Sequence, residues 1–134
     1  MRRSLAEARS LRAQAGYLGG KGFPGVEILY NSSDAHRQIA EAIQEMWRKQ
    51  LGLSANLTNM ELTSVLDARR TGSFQILRSS WTGDYADPQD FLEIWEAGSG
   101  NNFTGWKDPV YDALIDRAAA CADNGSRFAL LRQA

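Results

Sequence analysis

In a sequence of 134 residues, two cationic side chains and a run of carboxylates are the groups whose type and spacing could do chemistry. His36 stands just after the polar run Asn31-Ser32-Ser33-Asp34, and Arg78 interrupts an apolar stretch that starts at Phe74. Asp84, Asp87, Asp90 and Glu93 then fall within ten residues of one another. An imidazole and a guanidinium can donate to an anion, and carboxylates can accept from a cation. Two carboxylates can also act as an acid and base pair, but no feature of this spacing selects that use.

Each candidate has a plainer reading. His36, in the first turn of a helix, reads first as a surface residue. Arg78 must be paired or face a polar cavity, because burying an unpaired charge costs several kcal/mol, so a salt bridge and a ligand contact stay open. Asp87-Pro88 reads as a helix N-cap followed by proline at the first helical position, which makes Asp87 structural and leaves Asp84 unexplained. Of the four tryptophans, Trp47 lies on an apolar helical face and reads as core, whereas Trp81, beside Asp84, is the better pocket residue. Catalytic signatures are missing: there is one histidine, no G-x-S-x-G and no glycine-rich phosphate loop, and the single Cys121 excludes a multi-cysteine zinc site. No metal ligand set and no cofactor are expected.

The elements that position these groups alternate. Apolar spacing predicts a short helix over 4–15, a glycine-rich connector over 17–25 and a buried strand over 26–30. A helix from Ser33 or Asp34 to Leu51 carries Ala35, Ile39, Ala42, Ile43, Met46 and Trp47 on one face and stops at Gly52. A strand over 54–59, a helix closed by Gly72 and a strand over 74–81 follow. Strands joined by such helices pair in parallel, which gives an α/β fold: an open, mainly parallel sheet with flanking helices. Beyond it come a polar turn over 82–88, a loop over 98–102, a helix opening at Asp108-Pro109 and a last helix near Ser126. The organisation expected is one partial domain over 1–134: entry helix and connector over 1–25, a βαβαβ core over 26–81, and a ligand loop with C-terminal helices over 82–134.

Composition narrows the class. Hydrophobic residues make up 43%, enough for a core, and a net charge of -1 gives no footprint for nucleic acid. No window reaches the length of a membrane span, and Arg3, Glu7, Arg9 and Arg12 interrupt any apolar signal core near the start, so an export signal is expected to lie outside this sequence. Leu130 and Leu131 are expected to be exposed at the end of the chain and to favour self-association.

Several of these segments together resemble one family. They are Leu29-Tyr30-Asn31-Ser32-Ser33-Asp34-Ala35-His36, the helix ending Trp47-Arg48-Lys49-Gln50-Leu51-Gly52, the turn Trp81-Thr82-Gly83-Asp84-Tyr85-Ala86-Asp87-Pro88, and Asn101-Asn102 through Trp106, Pro109 and Asp112. From about Ala8 onward their order and spacing are similar to those of the periplasmic oligopeptide-binding proteins, the solute-binding subunits of ABC peptide importers.

The resemblance implies a non-enzymatic, periplasmic or extracytoplasmic protein and the central part of the second lobe of a type II periplasmic-binding-protein fold. Its partners would be an oligopeptide, the N-terminal lobe and the importer's permease subunits. By the same resemblance Asp84 matches the carboxylate that holds a peptide α-ammonium. Arg78, His36 and Arg69 match cations that meet the peptide C-terminus at different peptide lengths. The backbone at Ser80 and Thr82 matches groups that pair with an extended peptide. Two departures stand out: Leu62 follows Glu61 where some members have an aromatic, and Thr82 stands where some have a bonded cysteine.

The chemistry is coherent on its own terms. A peptide is a zwitterion whose ends separate by at most about 3.3–3.6 Å per residue, so it calls for an anion at one end and cations at graded distances. Dipeptide, nickel or oligosaccharide binding are the rival ligands of the same fold, and a carboxylate-based hydrolase is the rival from another class.

Overall fold

The computed structural model describes residues 4–134. Residues 1–3 of the expected entry segment lie outside the described residues. The chain divides into two compact units, Met1–Ser79 and Ser80–Ala134.

The first unit alternates as its periodicity predicts. Helix α1 (Leu5–Gln14) is capped by Ser4, whose hydroxyl accepts from the Glu7 amide at 3.1 Å. Strand β1 (Val26–Asn31) leads into α2 (Asp34–Leu51), then β2 (Ala55–Met60), α3 (Leu62–Thr71) and β3 (Ile76–Leu77). Gly52 and Gly72 end α2 and α3 in the left-handed conformation, at φ 64° and 70°. The sheet is parallel with order β2-β1-β3, so β1 is central. Ile28 and Leu29 of β1 are almost fully buried, and Leu29 packs with Val65 and Ala68 of α3 beside Phe74 and Leu77.

Two expectations need correction here. The third strand covers Ile76–Leu77, not 74–81. Pairing is lost one step later: the Arg78 amide still donates to the Leu29 carbonyl at 2.8 Å, after which residues 79–83 belong to no regular element. Arg78 therefore stands just beyond the strand and is half-buried. The apolar stripe of α2 is also less covered than its pattern implies. Ala40 is the residue buried in that helix, whereas Ile39 and Met46 are exposed.

The second unit is helical. Its elements are α4 (Gln89–Leu92) with a following 3-10 turn (Glu93–Trp95), α5 (Pro109–Ala119) and α6 (Asn124–Gln133). Asp108 caps α5 through its side chain, with proline at the first position, and Asp123 caps α6. The core joins Tyr111, Ile115 and Ala118 of α5 to Leu131 of α6, with Leu92 and Leu130 packed against them. The expected exposure of Leu130 and Leu131 is thus overturned. Leu131 is buried and Leu130 is half-buried, because α6 lays its apolar side on α5.

Candidate functional site

Two polar sites emerge, one in each unit. In the first unit, right-handed parallel βα connections put the carboxyl ends of the strands and the first turn of α2 at one edge. His36 sits in that first turn and is half-buried, as is Arg78 beyond β3. The two are electrically coupled: burial first, and then the positive charge of Arg78, lower the pKa of His36 from its ordinary value. Both carry an unfulfilled polar atom. His36 Nδ1 and Arg78 Nη1 are buried and have no hydrogen-bond partner in the structure. Among the described residues Arg78 enters no salt bridge, which removes the plainer of its two sequence readings. Arg69 is placed elsewhere, in the last turn of α3, where a cation suits the carboxyl end of the helix dipole.

In the second unit, Trp81 and Asp84 line a cavity of about 420 Å³ together with Glu93, Glu96, Asp112 and Asp116. Five carboxylates without a cation among them make this cavity strongly electronegative. Burial, followed by the negative charges of Asp116, Asp112 and Glu93, raises the pKa of Glu96. Tyr85 nearby is pushed up to about 12 by burial and by its hydrogen bond to Glu93. Asp84, Ser80 and Thr82 are exposed, and Trp81 is half-buried. No group of three or more His, Cys, Asp or Glu among the described residues is arranged to hold a metal ion.

Sequence reasoning missed Asp90. Counted there only as one of four clustered carboxylates, it is 1% exposed, and its Oδ2 accepts from Trp81 Nε1 and from the Asp84 amide, both at 3.1 Å. The nearest sequence signal was the Trp-x-Gly-Asp turn upstream, whose side-chain and backbone donors require an acceptor. Asp87 is structural, but not as the N-cap that the sequence suggests: Pro88 occupies the cap position of α4, which starts at Gln89, and Asp87 stands one residue before it. Its carboxylate accepts the Gln89 amide at 2.8 Å and takes two bonds from Arg127 of α6, at 2.7 and 2.8 Å.

Charge is segregated along the chain in the same sense. The first unit holds eleven Lys and Arg against seven Asp and Glu, and the second holds four against nine.

Residues 2–103 match the model of the bacterial extracellular solute-binding proteins, family 5, middle region. The chain belongs to this family. Its members are solute-binding proteins of ABC importers and not enzymes. The periplasmic oligopeptide-binding protein OppA of Salmonella typhimurium is 38% identical over 128 residues, which are 96% of this chain and 23% of that protein. The probable deoxycholate-binding periplasmic protein YgiS of Escherichia coli is 38% identical over 134 residues, all of this chain and 25% of that protein. Among solved structures, a periplasmic oligopeptide-binding protein of Borrelia burgdorferi superposes with a TM-score of 0.89 at 36% identity, over 97% of this chain and 26% of that one. The chain thus spans about a quarter of the length of these relatives. The α/β architecture with its small open parallel sheet is that of a type II periplasmic binding protein.

Proposed function

We propose that the protein captures oligopeptides outside the cytoplasm for uptake by an ABC importer. Family relatives named for oligopeptide and murein peptide binding support this reading. The observation that carries it is the pair of buried, unpartnered nitrogens at His36 and Arg78. A buried polar atom without a partner costs roughly 1–3 kcal/mol, and a ligand carboxylate would remove that cost at both residues. In this reading the peptide C-terminus meets Arg78 and His36, with Arg69 serving another peptide length, and Asp84 takes the α-ammonium beside Trp81.

The backbone around Ser80 and Thr82 pairs with the peptide as an added strand. Supporting this, β3 is an edge strand and residues 79–83 are outside the sheet ladder. Main-chain pairing gives affinity without reading side chains, which suits uptake of mixed sequences. The permease subunits and the other lobe of a two-lobed binding protein are the partners this role requires.

Calorimetric titration of a pool of tri- to pentapeptides into the full-length protein tests the reading, with Asp84→Ala as control. Binding weakened by about tenfold or more in the variant is expected for loss of a charge-assisted contact. A wild type that ignores peptides and binds a steroid acid, a sugar or nickel would keep the fold and discard the peptide. A steroid acid carries a carboxylate and no ammonium, so its binding would not depend on Asp84.

A further inference from the structure

We infer that Asp90 is a positioning residue, which sets the carboxylate of Asp84 to receive a ligand ammonium. The inference rests on the assignment of Asp84 to the peptide α-ammonium.

The residues from Trp81 to Asp84 lie between elements, and Asp84 itself is exposed. A carboxylate on an irregular exposed loop samples many positions, and ordering it at the moment of binding subtracts from affinity. Here the two ends of that tetrapeptide are tied to a single atom. Asp90 Oδ2 accepts the Trp81 indole N–H and the Asp84 amide N–H, each at 3.1 Å. Between them the loop passes so close to Asp90 that a Cβ on Gly83 would stand 2.8 Å from the same oxygen and 3.1 Å from the Phe91 ring. Glycine at 83 is what lets the turn close over the carboxylate.

Asp90 is itself held firmly. It lies in the first turn of α4, its amide donates to the Asp87 carbonyl at 3.2 Å, and Asp87 is clamped by Arg127. Burying a carboxylate is costly unless it is well hydrogen-bonded, and an apolar residue could fill the space without that cost. What an apolar residue could not do is fix the Asp84 amide and the Trp81 ring together, and so aim both into the cavity they line.

A role in positioning differs from a role in folding by which ligands it affects. The experiment compares a pool of tri- to pentapeptides with the same pool acetylated at the N-terminus, titrated into the full-length protein. The wild type should prefer the free pool by about tenfold or more, the usual worth of a charge-assisted hydrogen bond. In Asp90→Ala that preference should collapse to within about twofold, the free pool losing clearly more affinity than the acetylated one. Asp90→Asn, whose amide oxygen can still accept both donors, should restore most of the preference.

Where Asp90→Ala does not fold, Gly83→Ala decides, since its Cβ pushes the loop off Asp90 and should collapse the preference with Asp90 still present. An unchanged preference in the variants, or an equal loss for both pools, overturns the positioning role. A wild type that shows no preference removes the assignment of Asp84 itself, an outcome readable before any Asp90 variant is made.

Discussion

Arg127 grips Asp87 with two hydrogen bonds, at 2.7 and 2.8 Å, and thereby ties α6 to the turn that opens α4, forty residues earlier. The fork geometry is the strong form of an arginine–carboxylate contact, and a third bond from Arg127 to Gln89 Oε1 at 2.9 Å completes it. Arg127 and the Gln89 amide lower the Asp87 pKa from its ordinary value of 3.8. A carboxyl whose folded pKa is depressed stabilises the fold above its unfolded pKa and loses that contribution as pH falls through the folded value. Thermal melts should therefore fall more steeply below about pH 4 in the wild type than in Asp87→Asn. At neutral pH the variant should melt several degrees lower. Parallel acid curves for the two proteins would show that the pair does not couple to folding.

A second tie lies at the other end of the chain. Gly20, at φ +85°, approaches the Gly52 carbonyl so closely that a Cβ there would fall within its van der Waals shell. Beside it, Arg9 and Arg12 of α1 donate to the Gln50 and Leu51 carbonyls, satisfying the end of α2. Gly22, at φ +75°, has open space around its missing side chain. Gly22→Ala should thus cost about 1 kcal/mol for backbone strain alone, and Gly20→Ala about 2–4 kcal/mol for strain plus collision. Urea denaturation separates them. Equal losses would mean that the crossing yields freely.

The helical core of the second unit offers a cleaner contrast. Ile115 is 1% exposed, whereas Val110 on the same helix is 70% exposed. Ile115→Ala should destabilise by about 2–5 kcal/mol and Val110→Ala by no more than about 0.5 kcal/mol, measured by the same denaturation. A large loss at Val110 would mean that another surface covers it in solution.

Helix ends were the most legible part of this sequence, because caps are local chemistry. Asp108 accepts the amides that its place before Pro109 predicts, and Gly52 and Gly72 adopt the left-handed turn, whereas the caps at Ser4 and Asp123 were not read and that at Asp87 was misplaced by one residue. Strand ends were less legible, since a strand exists only where a neighbour pairs with it. The apolar pattern from Phe74 looks the same whether pairing stops at Leu77 or at Trp81. The stripe of α2 is legible as a face, but a periodic pattern does not say what lies on that face, and Ile39 and Met46 stay exposed.

At the site, His36 and Arg78 were readable as odd residues in their contexts, and the fold brings them into electrostatic contact. Asp90 was unreadable for the opposite reason. It is one of four carboxylates between Asp84 and Glu93 with nothing in the spacing to single it out, so only the chain folding back over it reveals that it is buried.

His36 yields the prediction most directly tied to the ligand. Burial and Arg78 hold its pKa below the ordinary 6.5, so the unfolded chain binds a proton more readily than the folded one. Stability of the unliganded protein should then rise with pH up to about 6.5 and level off above it. A peptide carboxylate placed against the imidazole acts in the reverse direction, because it favours the charged ring and raises its pKa. Binding therefore takes up a proton at pH values between the free and the liganded pKa of His36, and affinity should increase as pH falls through that interval, by at most about tenfold per pH unit for one proton. The same acidification thus weakens the empty protein and strengthens its hold on ligand. Calorimetry in buffers of different ionisation heat should register the uptake, and His36→Gln or peptides ending in a carboxamide should abolish it. Affinity that is flat or decreasing over this range in the wild type would place the peptide carboxylate away from His36.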